Sequence, residues 1–257
     1  MRILLFGATG HLGGRLAERL AKSFSVVVAP RIDVASERAI ARLLDEAAAA
    51  VVVNAIGAAP DADLATLRHV NAEFPRRLAT IAAARGTRVV HFSTDAVFSG
   101  RRGGYVEADV ADPVDDYGRS KHAGELATPH LTIRTSFFGR NPRGTGLVEW
   151  LAVQRGVVDG YEDYWFSGTS AVVLADLVVD AIAAELDGVW HVGGDPMNKY
   201  DLLVAVAQRL DLDIQIVPVR RGQVDRTLDS SRFFGAIGRR QPTLNESLQT
   251  LSACLVV

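Results

Sequence analysis

The sequence predicts an α/β fold, a doubly wound parallel sheet followed by a smaller C-terminal lobe. Three observations carry this expectation. Short apolar, β-branched runs alternate with stretches of helical period through the first half of the chain. The first of these runs ends directly in a glycine series that opens a helical stretch. A length of 257 residues, 48% of them hydrophobic and 23% charged, supplies one large core with material left for a lobe.

RILLF (2–6) is stopped by Gly7 and suits a strand buried on both faces. HLGGRLAERLAKSF then carries Leu12, Leu16 and Leu20 at helical spacing. SVVVAP (25–30) is a second strand closed by Pro30, and SERAIARLLDEAAAA (36–50) a helix with Ser36 as its N-cap. VVVNAIG (51–57) is a β-branched strand. Residues 63–86 are helical, with a break or kink expected near Pro75. RVVHFST (88–94) and LTIRTS (131–136) are further strands. Residues 137–170, rich in glycine, aromatics and charge, mark a change of character. Beyond them the pattern predicts a helix over 171–186, a strand over 189–194, a helix over 200–210, a strand over 214–219 and a last helix near 243–253. The main domain is therefore expected over 1–136, with 171–194 returning to its sheet. The lobe is expected from 137–170 and 195–257, set over the carboxyl edge of the sheet.

A net charge of −2 gives no electrostatic case for nucleic acid or an anionic membrane as partner. Cys254 is the only cysteine, so no intrachain disulfide and no cysteine-based metal site is expected. The six histidines lack metal-ligand spacing, and no metal is expected; His91, in an apolar run, reads as a core residue. The apolar run at the start is too short for a signal-peptide core or a membrane span, which points to a cytoplasmic enzyme or binding protein.

FGATGHLGG places Gly7, Gly10 and Gly13 between the first strand and the first helix. Glycines there permit a tight turn, a close approach of backbone to a pyrophosphate, and close packing of helix on strand, while the helix start offers free N–H groups to phosphate. Thr9, His11 and Leu12 belong to the same turn and are expected at a bound dinucleotide. At the end of the second strand stands Arg31 rather than a carboxylate. A guanidinium suits a 2′-phosphate, so NADP(H) is expected, with NAD(H) the alternative, and Asp33 and Val34 beside the adenine.

Thr94 closes the strand 88–94, and YGRSK sets Tyr117 and Lys121 one helical turn apart. A hydroxyl, a phenol and an ammonium converging beside a nicotinamide would polarise and protonate a carbonyl oxygen. The reading expects Lys121, together with the positive ring of an oxidised nicotinamide, to lower the pKa of Tyr117. Tyr117 and Lys121 are also expected to touch the cofactor.

Taken together, LLFGATGHLG, VVNAIG (52–57), VNAEFPRRLA (70–79), HFSTDAVFSG, YVEADVADPVDDYGRSKHAGE, IRTSFFG (133–139) and later GVWHVGG and DRTLDSSR resemble the extended short-chain dehydrogenase/reductase family, in its dTDP-4-dehydrorhamnose reductase (RmlD-like) branch. The resemblance implies a Rossmann fold, and Asn54, Ala55 and Ile56 beneath the cofactor. It also implies hydride reduction of the C4 ketone of a nucleotide-linked 4-keto-6-deoxy sugar, with Thr94, Tyr117 and Lys121 catalytic. Phe137 is expected at the sugar, where Ala96 replaces an aromatic and leaves room. Trp165 is expected there too, within an aromatic wall of Trp150, Tyr164, Trp165 and Phe166. Arg134 is read either as a site residue or as half of a structural ion pair, and Asp95 as turned away from the substrate. Two other functions stay open: a nucleotide-sugar epimerase or dehydratase of the same superfamily, and a non-catalytic NADP-binding regulatory subunit. A homodimer is also left open.

Overall fold

The computed structural model describes residues 1–252; Cys254, and with it the expectation about cysteine chemistry, lies outside them. Strand β1 (Arg2–Phe6) enters the centre of the molecule and α1 (His11–Leu20) returns along one face. There follow β2 (Ser25–Val28), α2 (Glu37–Ala47) and β3 (Val51–Asn54). Ser36 caps α2 as expected, its hydroxyl accepting from the Ala39 amide at 3.3 Å. Next come α3 (Leu64–Thr66), a π-helical turn (Leu67–Glu73) and α4 (Phe74–Ala83) in one continuous helical run. The irregularity expected at Pro75 therefore lies before it. Pro75 follows the wider π-helical turn at once, inside a chain that is already helical, so its missing N–H removes one donor from the continuous run.

Strand β4 (Arg88–Thr94), a short 3₁₀ turn (Asp95–Val97), α5 (Asp116–Ala123) and β5 (Leu131–Phe138) complete the first half. β8 (Gly168–Ser170), α7 (Ala171–Ala183) and β9 (Gly188–His191) come back to the sheet, both strands pairing with β5. The sheet runs β2-β1-β3-β4-β5, with β8 and β9 beyond β5, and every pairing is parallel. α1 and α7 cover one face through Leu12, Leu16, Leu20, Leu174 and Val178; α2 and α4 cover the other through Ile40, Leu44, Phe74 and Leu78. Strand order reverses between β1 and β3, so a cleft opens at their carboxyl ends, next to the glycine turn.

The lobe is built from α6 (Leu147–Ala152), β6 (Gly156–Tyr161), β7 (Tyr164–Phe166), β10 (Met197–Asn198), α8 (Lys199–Arg209), β11 (Ile214–Val219), β12 (Val224–Arg226) and α10 (Leu244–Ser252). By contrast α9 (Ser231–Ile237), expected within the lobe segment 195–257, packs Phe233 and Phe234 into the core of the main sheet beside Trp190. β6 pairs with β11, and β7 lies between β10 and β12. Val148, Leu151, Phe166, Leu202, Leu203 and Leu251 form a separate core within it. The small strands β6, β7, β10 and β12 went unforeseen, because their partners lie far away in sequence. Among the described residues, no helix is long and apolar enough to cross a membrane.

Candidate active site

The glycine turn has the shape that the sequence demands of it. Gly7 adopts φ +79°, and a Cβ on Gly13 would lie 2.0 Å from the Gly7 carbonyl oxygen. A Cβ on Gly7 would meet the Ala55 and Ile56 backbone at 2.8–2.9 Å, so the turn rests on the exit of β3. The start of α1 has no side-chain cap and no acidic residue in its first turn, which leaves its N–H groups and its positive dipole end available to an anion. The Nε2 of His11 is buried without a partner beside it. A pyrophosphate fits this turn. Arg31 is exposed beyond the end of β2, and no carboxylate pairs with it among the described residues. Asp33 is turned into its own loop, accepting from the Ala35 amide at 2.9 Å, and Val34 packs on the α2–α4 core.

The exit of β3 is held from below. Asn54 accepts from the Ile56 amide at 3.1 Å and donates to the His91 Nδ1 at 3.2 Å. Asn71, buried in the π-helical turn, accepts from the Ala58 amide at 2.8 Å and donates to Ser120 at 3.1 Å. The Lys121 ammonium lies 4.0 Å from where a Cβ on Gly57 would be. It stands between this loop and the helix that carries Tyr117.

Close packing fixes α5. A Cβ on Gly118 would lie 2.2 Å from the Ala96 carbonyl oxygen, and one on Gly124 1.9 Å from that of Asn71, so both positions admit only glycine. Asp115 caps the helix through the Gly118 amide at 2.6 Å. Tyr117 is thereby pressed against the end of β4. Thr94, Asp95, Ala96, Asp115, Asp116 and Tyr117 line one cavity of about 550 Å³, a volume suited to a small ligand. Pro60, Ala62, Leu64 and Leu67 close one side of it, and Tyr164 and Arg226 reach in from the lobe.

The electrostatics of this cavity correct the sequence reading. Burial, together with the charges of Asp95 and Asp115, pushes the Tyr117 phenol up to about 12; a hydrogen bond with Thr94 opposes this and is outweighed. Lys121 is not among the groups acting on the phenol. Its own ammonium is driven down to about 8 by burial, against the pull of Glu125. Burial also raises Asp95 to about 6, although Arg226, Thr94 and Lys199 favour its charged form. For the protein alone, burial and the facing carboxylates decide the direction for Tyr117; the expected lowering is assigned to Lys121 acting together with an oxidised nicotinamide. Asp95, expected to turn away, lines the cavity and hydrogen-bonds Thr94 at 3.2 Å.

Two expected substrate contacts fall elsewhere. Trp165 does not line the cavity; successive strand residues point to opposite sides, and Tyr164 is the β7 residue that faces Tyr117. Phe137 stands edge-on to His11, with ring centroids 5.3 Å apart, on the glycine-turn side. Within the aromatic wall, Phe166 is buried in the lobe core, while Trp150 borders a second opening of about 530 Å³ with Tyr161 and Lys199. Arg134 resolves as an ion pair, donating to both oxygens of Glu125 at 2.8 Å from a buried position. Tyr164, expected within the aromatic wall, does line the cavity, and Arg226 joins it there without having been expected. The strand of Arg226 is too short, and too distant from β4 in sequence, to place from pattern alone.

The family model for the RmlD substrate binding domain matches residues 1–232. A dTDP-4-dehydrorhamnose reductase of Burkholderia thailandensis is 34% identical over 200 residues, covering 72% of this chain and 67% of the relative. A dTDP-4-keto-6-deoxy-D-glucose reductase of Streptomyces niveus is 32% identical over 209 residues, covering 74% and 72%. The solved structure of dTDP-4-dehydrorhamnose reductase from Bacillus anthracis in complex with NADP superposes with a TM-score of 0.88 at 21% identity, covering 98% of each chain, which establishes the shared fold. The chain is a member of the RmlD family, a branch of the extended short-chain dehydrogenases/reductases.

Proposed function

We propose that this protein uses NADPH to reduce the C4 ketone of a dTDP-linked 4-keto-6-deoxy sugar. One observation carries the reading: Tyr117 and Thr94 line a single cavity at the carboxyl end of β4, with Lys121 one helical turn along α5 from Tyr117 and its ammonium beside Gly57 in the loop after β3. The names of the relatives from Burkholderia thailandensis and Streptomyces niveus support the substrate class. The exposed, unpaired guanidinium of Arg31 supports NADPH over NADH. Gly7, Thr9, Gly10, His11, Leu12 and Gly13 would hold the pyrophosphate, and Asn54, Ala55 and Ile56 would border the nicotinamide half.

When bound, NADPH supplies the hydride. Tyr117 stays protonated through the neutral range and is a loaded acid that gives its proton to the ketone oxygen as negative charge develops there. Thr94 orients that oxygen by hydrogen bonding. Lys121, buried and at the edge of deprotonation, is placed to recharge the site with a proton after turnover. Ala96 leaves space beside the sugar, and Arg226 and Tyr164 supply polar contacts from the lobe.

Asp95 favours a second reading, since a buried acid at the substrate cavity is what an epimerase or dehydratase needs. The two are separated by following NADPH absorbance with dTDP-4-dehydrorhamnose and dTDP-4-keto-6-deoxyglucose, and determining the product configuration by NMR. Stoichiometric NADPH loss with a new C4 alcohol is expected. Conversion of the sugar by protein carrying its own NAD⁺, with no consumption of added NADPH, would replace this reading by the second.

A further inference from the structure

Beyond the glycine turn itself, the loop 139–146 between β5 and α6 brings a cation to the turn. Its guanidinium, on Arg143, donates to the Thr9 hydroxyl at 2.7 Å across 134 residues of sequence. The loop is built to hold that position. Asn141 is buried and donates to the Thr145 carbonyl and hydroxyl at 3.0 and 2.8 Å, while its own side-chain oxygen accepts from the Arg143 amide at 3.1 Å. The Asn141 amide donates to Glu149 at 2.9 Å.

Two arginines of this loop differ in a telling way. Arg140 is neutralised by Glu149 at 2.9 Å. Arg143 has no carboxylate partner among the described residues and meets only a neutral hydroxyl. A guanidinium has five N–H donors in a fixed fork, so contact with one hydroxyl leaves most of them unused. Below it lies the uncapped start of α1, and beside it the buried, unpartnered Nε2 of His11, 3.4 Å from where a Cβ on Gly139 would be. Free helix N–H groups, an orphaned imidazole nitrogen and an unpaired guanidinium thus border one spot.

We infer that Arg143 is a further cofactor-binding residue, a clamp reaching from the β5–α6 loop onto the pyrophosphate of the dinucleotide. The inference rests on the proposed use of NADPH. It assigns Arg143 to the part of the cofactor that NADPH and NADH share, and leaves Arg31 the 2′-phosphate that distinguishes them.

The test is the dissociation constant of NADPH and of NADH, measured by calorimetry without sugar nucleotide, for wild type, Arg143→Ala, Arg143→Lys and Arg31→Ala. Losing a charge-assisted fork to phosphate is expected to weaken both dinucleotides by the same factor, about 10- to 50-fold in Arg143→Ala, with a shallower salt dependence. Arg143→Lys should recover part of the loss, and Arg31→Ala should weaken NADPH alone. Unaltered dinucleotide binding in Arg143→Ala, a loss confined to NADPH, or a change only in the KM of the sugar nucleotide would each overturn the assignment. Wild type that binds neither dinucleotide would instead overturn the cofactor reading on which it rests.

Discussion

Strand β4 and helix α5 carry two buried polar clusters side by side, and the two are built in opposite ways. In the first, Ser93 donates to Glu125 at 2.7 Å, Arg134 grips both Glu125 oxygens, and the His191 Nε2 accepts from Arg134 at 3.3 Å. The Nδ1–H of His191 then donates to the Tyr105 carbonyl at 3.0 Å. Despite its burial, Glu125 is held below the usual carboxylate range by Arg134, Ser93 and His122. In the second, Asp95 and Lys121 are buried and Tyr117 is half-buried, and each is pushed toward its neutral form by burial. Neighbouring residues on one strand, Ser93 and Thr94, belong to different clusters because they face opposite sides of the sheet. A satisfied ion pair fixes the distance between α5 and β5; groups with unspent charge and hydrogen-bonding capacity are left where a substrate can use them.

Breaking the first cluster should cost the most stability. Arg134→Met strands the Glu125 carboxylate, and Glu125→Gln strands the guanidinium. Either is expected to lose about 3–5 kcal/mol in urea unfolding, and equal stability to wild type would show that the pair is not structural.

The second cluster should respond with the opposite sign. The folded pKa of Asp95, about 6, lies above its unfolded value of about 3.8. The folded state therefore binds the proton more tightly, and stability falls as pH rises from about 4 through about 6. Asp95→Asn removes that penalty. Thermal melts should show the variant more stable than wild type by about 1–3 kcal/mol at pH 8, with the gap closing near pH 4. A variant less stable at pH 8 would mean that Arg226 and Lys199 compensate the carboxylate fully. The smallest effect is expected at the cofactor rim. Arg31→Ala should reduce the preference for NADPH over NADH by about tenfold, read from kcat/KM with each cofactor, and an unchanged ratio would remove Arg31 from the 2′-phosphate.

These contrasts mark how far the sequence could be read. The parallel sheet was legible because each strand is a short apolar run and each crossover a periodic helix, as in RILLF with Leu12, Leu16 and Leu20. The gathering of Thr94 and Tyr117 was legible through local motifs at strand end and helix start. The sign of the shift on Tyr117 was not. Helical spacing puts Lys121 one turn away, but burial and Asp95 decide the phenol's acidity, and neither can be read from spacing. The aromatic wall was expected to include both Tyr164 and Trp165, but successive residues of a strand face opposite sides, and only Tyr164 lines the cavity. Arg143 was hidden for another reason: its partner is 134 residues away.

The most direct test of the account is reduction of dTDP-4-dehydrorhamnose by Tyr117→Phe at saturating NADPH, with NADPH binding measured alongside. Loss of turnover by about 10³-fold, with NADPH affinity within a few-fold of wild type, is the expected result. A Tyr117→Phe enzyme that turns over at the wild-type rate would contradict the assignment of the phenol as the proton donor.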